Sequence, residues 1–576
     1  MTNILRSHSP AAVFVFLVAF PVALNAAAPE AELLRLTPGD ATFCLVVRDI
    51  RGFSANVWDG PFAAAFRKST MGKALAAAPE FAKIEQFHQQ VPKALQIEWS
   101  KIRDDVFGDV IVLSYQNGPP GKPEQERGLL LTWARDPKLA SRLIERLNAV
   151  QKESGELNEV RPIVYKSETY FQRVKNKGAN EYLFLKGSIL AFSSQESAIR
   201  RVIELNLESP PADQQVPALA KQLERVGGHG FATFWLNPRS FDADLANRLK
   251  SAHGQEAAFL TTFQQCWKAL DGLGLDCRLG KNLEVDLTLA TRKEQVPPAL
   301  VKFASAFNEP SIFWQAVPQD ALFAVAGRLD LPALIETVST FVAPEVRQKV
   351  FGSAEQGLAP VFGKKTVQML PAHVGPDFGI CIMPPRSQKT LLPEILAAIR
   401  IQPSEDSRME RSIRDALEVG ATLLRVNLNS KTDEPVRLET KKQGDVEVRY
   451  LAHDKLFPPG IQPAFALKHG HLMLATNPDR ILNADLSAMK SPEGANRLAI
   501  LSFRHLRDYL TTRRDGIADA VASHQSIPRK EALAQINKIL AAIELFDRVE
   551  LINTSKKPGE LKLTLKIQMI EPLVGK

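Results

Sequence analysis

The chain has 576 residues, of which 45% are hydrophobic and 24% are charged. Domains divide beyond about 250–300 residues, so this length predicts more than one core, and the composition excludes a disordered chain and a multispan membrane protein. The net charge of +8 is modest at this length; it is compatible with an anionic surface as partner and does not require one.

The first 28 residues have the pattern of a signal peptide. Arg6 provides the positive start, the run Ala11–Leu24 is apolar apart from Pro21, and Asn25–Ala28 is a small-residue cleavage region. The apolar run is shorter than the ~20 residues of a spanning helix, and no other stretch approaches that length. We therefore expect export to the periplasm or the extracellular space, with no transmembrane segment in the mature chain.

A motif near the start of the predicted mature chain occurs twice. Residues 37–48 read TPGDATFCLVVR and residues 317–328 read VPQDALFAVAGR, so Pro, Asp, Ala, Phe and Arg recur in one frame, displaced by 280 residues (318 − 38). Proline fixes φ and the aspartate can close a turn on its own backbone, so each copy predicts a turn followed by a strand that ends at Arg48 or Arg328. An acidic residue, Asp49 or Asp330, and helix-compatible sequence follow each strand.

The rest of the first half mixes helices with hairpin-connected strands. Asp136 before Pro137 predicts a helix start, and Lys186-Gly187-Ser188 predicts a hairpin turn. The predicted helices cover 60–88, the segment from Pro137 to Val150, 195–207 and 241–270. The predicted strands cover 110–113, 128–133, 163–165, 170–174, 181–185, 189–193, 230–236, 273–279 and 283–290.

The second half repeats this order. Asp377-Phe378-Gly379 resembles the turn at 105–108, the hairpin 464–477 resembles 182–194, and the strand 560–566 resembles the alternating strand 283–289. The sequence therefore predicts an α+β fold made by tandem duplication, in which each half has a mainly antiparallel sheet packed by helices. The predicted boundaries are a signal peptide at 1–28, a first half at 29–292, a linker at 293–310 and a second half at 311–576.

The Pro-x-Asp-Ala-x-Phe…Arg opening in both halves, with the Asp-Phe-Gly-type turn before a strand, resembles a family of exported bacterial proteins of unknown function. Members of that family often carry two such halves. The resemblance covers most of the mature chain and implies export and a two-half architecture. It implies no catalytic residue, because the matching residues are framework positions.

Three groups of residues are candidates for chemistry, and each has a structural alternative. His469 and His471 are spaced to face one way on a strand as metal ligands, but a glycine turn also explains His-Gly-His. The aspartates at 104, 105 and 109 are candidate cation ligands, but we favour a capping or turn role, because the second half keeps only Asp377 at the matching turn. Arg48 and Arg328 are either paired anion sites or structural salt bridges, and we favour the structural role.

No recognised catalytic or nucleotide-binding motif is present. The segment 52–56 begins like a nucleophile elbow but lacks its closing glycine, and no HExxH, P-loop or dinucleotide glycine pattern occurs. The basic residues of 504–514 alternate with acids and apolar residues, which is typical of an amphipathic surface helix rather than a nucleic-acid site. We therefore predict no catalytic residue, no cofactor, no metal and no nucleic-acid partner.

Four cysteines in an exported protein raise the question of disulfides. Cys44 and Cys381 lie in apolar strands and resemble buried apolar residues, whereas Cys266 and Cys277 are spaced so that a bond is one of two open alternatives.

Taken together, these features predict an exported soluble protein that acts as a non-catalytic binding protein or envelope-associated scaffold. The partner is then a protein or another envelope component. One alternative is a carrier of an apolar or lipid ligand, which would have a large apolar cavity; another is a hydrolase with a dispersed site, which would have a cleft with shifted pKa values. A simple binding protein would instead expose an apolar patch or groove.

Overall fold

The computed structural model describes residues 27–58, 60–119, 122–208, 217–387, 390–404, 407–486, 496–555 and 559–570. The predicted signal peptide lies outside the described residues up to position 26, and the first helix begins at Ala27. The chain forms two compact units: unit 1 comprises the described parts of 1–248, 270–292 and 568–576, and unit 2 those of 249–269 and 293–567.

The predicted boundary between the halves differs from the structure at residues 249–269. These residues cluster with unit 2, although the prediction placed them in the first half. The Gln255 amide accounts for part of this placement: it donates to the carbonyl of Phe341 (3.2 Å) and accepts from the backbone of Ala343 (2.7 Å). The ring of Phe259 also packs against Phe341. The predicted linker includes a helix, Pro298–Phe307.

Unit 1 contains ten strands whose neighbours are all antiparallel. In space their order is β4-β5-β6-β7-β3-β2-β1-β8-β9-β10. The bounds are β1 Phe43–Arg48, β2 Val110–Gln116, β3 Arg127–Trp133, β4 Leu157–Tyr165, β5 Glu168–Lys175, β6 Glu181–Lys186, β7 Ile189–Ser193, β8 Ala232–Leu236, β9 Leu270–Leu279 and β10 Asn282–Thr291.

Unit 2 also contains ten strands, in the order β14-β15-β16-β17-β13-β12-β11-β18-β19-β20. Each strand of unit 2 therefore occupies the same place in the order as the unit 1 strand whose number is ten lower. The bounds are β11 Phe323–Arg328, β12 Val374–Met383, β13 Glu394–Ile401, β14 Arg437–Gln443, β15 Val446–Ala452, β16 Ala464–Lys468, β17 His471–Ala475, β18 Asn496–Ser502, β19 Phe546–Asn553 and β20 Glu560–Met569.

The helices lie between the strands along the chain. The first eleven are α1 Ala27–Arg35, α2 Ile50–Phe53, α3 Pro61–Lys68, α4 Thr70–Ala76, α5 Pro79–Leu95, α6 Trp99–Lys101, α7 Pro137–Glu153, α8 Glu196–Leu207, α9 Ala218–Arg225, α10 Asp242–Ser251 and α11 Gly254–Ala269. The others are α12 Pro298–Phe307, α13 Leu331–Thr340, α14 Pro344–Phe362, α15 Lys364–His373, α16 Arg408–Asn429, α17 Pro478–Asn483, α18 Phe503–Thr512, α19 Arg514–Gln525 and α20 Arg529–Ala542. The mixed helix and antiparallel sheet predicted from the sequence is confirmed.

The residues after the repeated motif cap helices in both units, as the sequence order suggested. The Asp49 carboxylate accepts from the backbone of Gly52 at the start of α2, and that of Asp330 accepts from the backbone of Ala333 at the start of α13. The prediction that the motif aspartate closes its own turn is wrong for Asp40, because the Thr42 N–H that such a turn would use donates to the Tyr115 carbonyl (2.7 Å), while the Asp40 carboxylate accepts from the Gln116 side chain.

Each sheet packs one face into a core. In unit 1 the core face of β1 and β2 contributes Cys44, Val46 and Val112, which are covered by α1, α8 and α9. In unit 2 the corresponding face carries Ala324, Cys381, Leu396, Met473 and many alanines. Small side chains on this face leave room for the buried Phe313 ring, which lies where a side chain on Gly379 would project. Within the described residues, no helix is long and apolar enough to cross a membrane.

Candidate functional site

The second face of the unit 2 sheet is apolar at its centre. The five central strands, β11, β12, β13, β16 and β17, are apolar at most positions, which is typical of strands covered on both sides. The apolar side chains of these strands on this face are Phe323, Val325, Phe378, Ile380, Ile382, Ile395, Ala397, Ile399, Phe465, Leu467, Leu472 and Leu474.

The middle of this face is open. Val325, Ile380, Ala397, Leu474 and Phe465 lie side by side in register across β11, β12, β13, β17 and β16. Ile380 is 38% exposed and Leu474 is 48% exposed, although both project from the interior of a sheet. We call these five residues the open row.

Helix α16 covers the neighbouring row. Ile399, Leu467 and Leu472 pack against Met409 and Ile413, which are buried residues of this helix. The open row therefore lies beside a helix that binds the same face of the sheet, and it forms an apolar surface bordered by that helix.

The five residues of the open row carry no charge and no nucleophile, so the row itself offers apolar contact rather than chemistry. The row ends at Arg449 of β15, which is opposite Phe465 and pairs with Glu418 of α16 (3.2 Å).

Unit 1 has a matching row that is more covered. Leu45, Leu113, Leu130, Phe192 and Leu183 lie side by side across β1, β2, β3, β7 and β6, and none of them belongs to the exposed apolar residues of the described chain. Leu130 is buried in a cluster that includes residues of α2 and the turn after it. The two units therefore differ in how much of the second face is accessible.

Arg48, a predicted site residue, lies in a satisfied structural network. Its guanidinium makes a two-pronged bond to the Glu30 carboxylate (2.7 and 2.6 Å) and donates to the carbonyls of Gly228 (3.0 Å) and Gly230 (2.7 Å) and to the Thr233 hydroxyl (2.8 Å). Every acceptor is part of the protein. The guanidinium of Arg48 therefore has no free N–H donor with which to bind an anion.

Asp276 lies next to this network. It is fully buried, and its Oδ1 accepts from the Thr233 hydroxyl (2.7 Å) and the Gly230 backbone (2.9 Å). Burial raises the pKa of this carboxyl above its usual value, against the hydrogen bonds and the nearby guanidinium of Arg278. The arrangement fixes the end of β1 against β8 and β9.

Arg328 occupies the same position at the end of β11 and also forms an ion pair with a glutamate before its strand. Its guanidinium contacts the carboxylate of Glu309, and both side chains are more exposed than in the Arg48 pair. The two arginines are in separate units, and each has a local carboxylate partner.

The two histidines lie at the turn between β16 and β17 but do not converge. His469 has a positive φ of 48° and is exposed, whereas His471 is 1% exposed on the core face. The His471 Nδ1 lies 3.0 Å from the His469 carbonyl, so Nδ1–H donates and Nε2 remains a buried acceptor without a hydrogen-bond partner. Burial and the guanidinium of Arg400 lower the pKa of His471, while Asp377 opposes them.

The aspartates before β2 do not gather around one point, because the carboxylates of Asp104 and Asp109 have different arginine partners. Asp104 pairs with Arg103 (2.6 Å), and Asp109 pairs with Arg51 and Arg135. The backbone carbonyl of Asp105 accepts from the backbone of Arg135. In the part of the chain that is described, no group of three or more His, Cys, Asp or Glu side chains is placed to hold a metal.

The four cysteines are free thiols in the structure, so the open question of a Cys266–Cys277 bond is answered against a disulfide there. Burial raises the pKa of Cys44 and Cys381 to about 12 and that of Cys277 to about 11. A thiol with a raised pKa is a poor nucleophile at neutral pH, so none of these three is suited to catalysis.

The structure also places a serine and a histidine, Ser502 and His505, in contact, which the sequence did not predict. The Ser502 hydroxyl lies 3.0 Å from His505 Nδ1 and also accepts from the backbone of His505, which makes Ser502 the cap of α18. Ser502 is buried, so a substrate has no access to its oxygen. The contact is explained by helix capping.

A polar cleft of about 330 Å³ lies beside the repeated motif in unit 1. Three of its lining side chains are bonded within the protein: Gln116 donates to Asp40, Arg201 pairs with Glu204 (3.2 Å), and Tyr115 is bonded to Glu126, which raises the pKa of the phenol to about 12. Arg127, which is exposed, also lines the cleft.

In comparisons with known proteins, no family model, no curated protein and no solved structure matches the chain. The candidate site therefore depends on the geometry alone. Sequence reasoning did not find the open row, because continuous apolar strands do not reveal which of their two faces a helix covers.

Proposed function

We propose that this protein is a non-catalytic binding protein and that the open row of unit 2 binds an apolar ligand, such as a lipid acyl chain. The observation that carries the proposal is the exposure of Ile380 and Leu474 in the middle of an apolar sheet face. Exposed apolar patches of this kind mark binding surfaces, because leaving them in water costs free energy.

The dimensions suit an extended chain. The row crosses five neighbouring strands, and four strand spacings of ~4.8 Å give it a length of ~19 Å. A rigid sheet holds these side chains in fixed positions, so little conformational entropy is lost when a ligand binds. An exposed apolar row is the feature expected of the binding-protein alternative, and an acyl chain would lie on this surface rather than in the enclosed cavity expected of a carrier.

The proposal includes export and an origin by duplication. The repeated motif and the matching strand orders of the two units support a common ancestral unit, and so do the ion pairs of Arg48 with Glu30 and Arg328 with Glu309. The resemblance to the exported bacterial family and the pattern of residues 1–28 support export. An envelope component or a lipid is then the ligand class that the protein meets.

The test is binding of a fluorescent fatty acid to the purified full-length mature chain. Changing both Ile380 and Leu474 to Thr removes apolar contact in the open row and is expected to weaken binding about tenfold or more, since ~1.4 kcal/mol corresponds to tenfold. The matched control is Ile539→Gln, an exposed apolar residue of α20 outside the row. Equal binding by the parent and the double variant would refute the site.

A further inference from the structure

The polar cleft of unit 1 lies where the repeated motif, two strands and a helix meet. Residues 38–41 of the motif form one wall, and the other lining residues include Ser114 of β2, Arg127 of β3, and Ala198 and Arg201 of α8. Its volume of about 330 Å³ is that of a small-molecule pocket. We call it the motif cleft.

The strand registers identify the matching place in unit 2. Arg127 is the first residue of β3 and Glu394 is the first residue of β13, and these two strands pair with their neighbours in matching registers. Ala198 is the third residue of α8 and Arg480 is the third residue of α17, and each helix begins three residues after the preceding strand ends. Arg127 and Ala198 therefore correspond to Glu394 and Arg480.

In unit 2 this place is filled by an ion pair. The Arg480 guanidinium donates to the buried carboxylate of Glu394. In unit 1 the methyl group of Ala198 leaves room where the Arg480 side chain lies in unit 2, and Arg127 puts a positive charge in place of the carboxylate. A molecule bound in the motif cleft would take the place of Arg480 but face a cation, so the matching ligand is an anion.

The charge of Arg127 is not compensated. Its exposed side chain lines the cleft, and it has no ion-pair or hydrogen-bond partner among the described residues. Arg201, the second cation of the lining, differs in this respect, because it pairs with Glu204 (3.2 Å) and Glu208 (3.6 Å). Arg127 is therefore the guanidinium that is available to a ligand.

Ser114 is a second unused donor. It is only 7% exposed and lines the cleft, yet its hydroxyl makes no hydrogen bond to a described residue. A buried hydroxyl without a partner costs free energy, and a ligand oxygen would offset that cost. The corresponding residue of unit 2 is Cys381, whose thiol is a weak donor and does not need such a partner.

The first turn of α8 adds backbone donors. Its cap residue, Gln195, makes no side-chain bond to the helix, and the N–H groups of Glu196 and Ser197 have no acceptor in the described part of the chain. Ala198 belongs to this turn and lines the cleft. The start of a helix favours negative charge, because its free N–H groups and its dipole both point outwards there.

The acids nearby are already bonded within the protein. The carboxylates of Asp40, Glu126, Glu196 and Glu204 each bind a side chain of unit 1. These bonds hold them to their own partners and reduce their repulsion of an anion at Arg127.

We propose that the motif cleft of unit 1 binds a small oxyanion, either a carboxylate or a phosphate. Arg127 pairs with the anion, and the Ser114 hydroxyl and the first turn of α8 donate to its oxygens. The site lies in unit 1 and does not depend on the open row of unit 2.

The test is isothermal titration calorimetry of the full-length mature chain with succinate and, separately, with inorganic phosphate. We expect at least one of them to bind with a Kd of about 1 mM or tighter, and Arg127→Gln to weaken that binding about tenfold or more. The anion that binds more tightly identifies the class of the ligand. Succinamide, which resembles succinate in shape but is uncharged, is the control ligand, and Arg142→Gln at an exposed position of α7 is the control variant.

Two further variants locate the site. The double variant Arg127→Glu, Ala198→Arg gives unit 1 the ion pair that fills this place in unit 2, and when folded by circular dichroism it should bind neither anion. Ser114→Ala should weaken binding about threefold or more without lowering the melting temperature, because its hydroxyl has no partner to lose.

Four results would overturn the proposal. They are no binding of either anion by the parent chain, equal binding by the parent and Arg127→Gln, succinamide binding as tight as that of succinate, and retained binding by the folded double variant.

Discussion

At the scale of single residues, hydrogen-bond geometry decides between the structural and functional roles of the polar candidates. Arg48 donates to four different residues, whereas Arg328 pairs with Glu309, its one ion-pair partner among the described residues. His471 is buried with one nitrogen unpartnered, whereas His469 forms the turn. These contacts explain why residues that look chemical in the sequence serve to stabilise strand ends.

Replacing the two arginines by alanine should have unequal effects. Arg48→Ala leaves a largely buried glutamate and two carbonyls without their donor, so we expect the free energy of unfolding to fall by about 3 kcal/mol or more. Arg328→Ala removes a half-exposed pair and should cost about 1 kcal/mol or less. Urea denaturation measures both, and equal losses would contradict the structural role assigned to Arg48.

His471 should make unit 2 sensitive to acid. Its folded pKa lies below the unfolded value of about 6.5, so the unfolded state binds the proton more readily. The contribution to stability is full above the unfolded pKa and is lost as the pH falls through the folded pKa. We expect His471→Ile to remove this part of the pH dependence, because Ile189 occupies the first position of β7 as His471 does in β17.

Urea midpoints measured between neutral and mildly acidic pH check this expectation. The control is His469→Asn, since asparagine tolerates the positive φ at this turn and the side chain is exposed. A parent and a His471→Ile variant with the same pH profile would show that this imidazole does not titrate on unfolding.

At the scale of elements, the central strands have an apolar core face, and in unit 2 helix α16 packs on part of the second face as well. Helix α7 of unit 1 begins at the cap Asp136 as predicted, and its carboxylate accepts from the backbone of Lys138 and Leu139. The predicted helix over 60–88 is instead three helices, because Ser69 caps the start of the second and Pro79 begins the third after the extended residue Ala78. A side chain that binds the backbone locally ended the helix despite a continuous apolar pattern.

Two glycines give opposite predictions for the same substitution. A Cβ on Gly379 would overlap the buried Phe313 ring, so Gly379→Ala should destabilise the protein by at least ~1–3 kcal/mol. Gly420 lies inside α16 with no atom near its missing side chain, so Gly420→Ala should stabilise it by about 0.5–1 kcal/mol. Thermal melts of both variants measure the shifts, and a stabilising Gly379→Ala would show that the ring does not pack there.

At the scale of the whole molecule, the two units share a strand order but differ in what their second faces expose. Cys44 lies in the core of one unit and Cys381 in the core of the other, and both are fully buried. Each thiol therefore becomes accessible only when its own unit opens. The rate at which a thiol reagent labels Cys44 therefore measures the opening of the unit 1 core, and the rate for Cys381 measures the opening of the unit 2 core.

Thiol titration with an aromatic disulfide reagent should leave Cys44 and Cys381 unreactive in the native chain, because burial raises the pKa of each to about 12 and blocks access. Four thiols should react after unfolding without reductant. Only two reactive thiols under those conditions would mean that Cys266 and Cys277 are joined.

The sequence alone determined the mixed architecture, the turn and strand of each repeated motif, the capping residues and most strand positions. These features depend on local dihedral preferences and on apolar periodicity, which neighbouring residues express on their own. Tertiary structure alone decided that residues 249–269 join unit 2, that Arg48 binds Glu30, and that Ile380 and Leu474 remain open. Those outcomes depend on which distant segment reaches a given face or charge, and no local pattern in the chain encodes that choice.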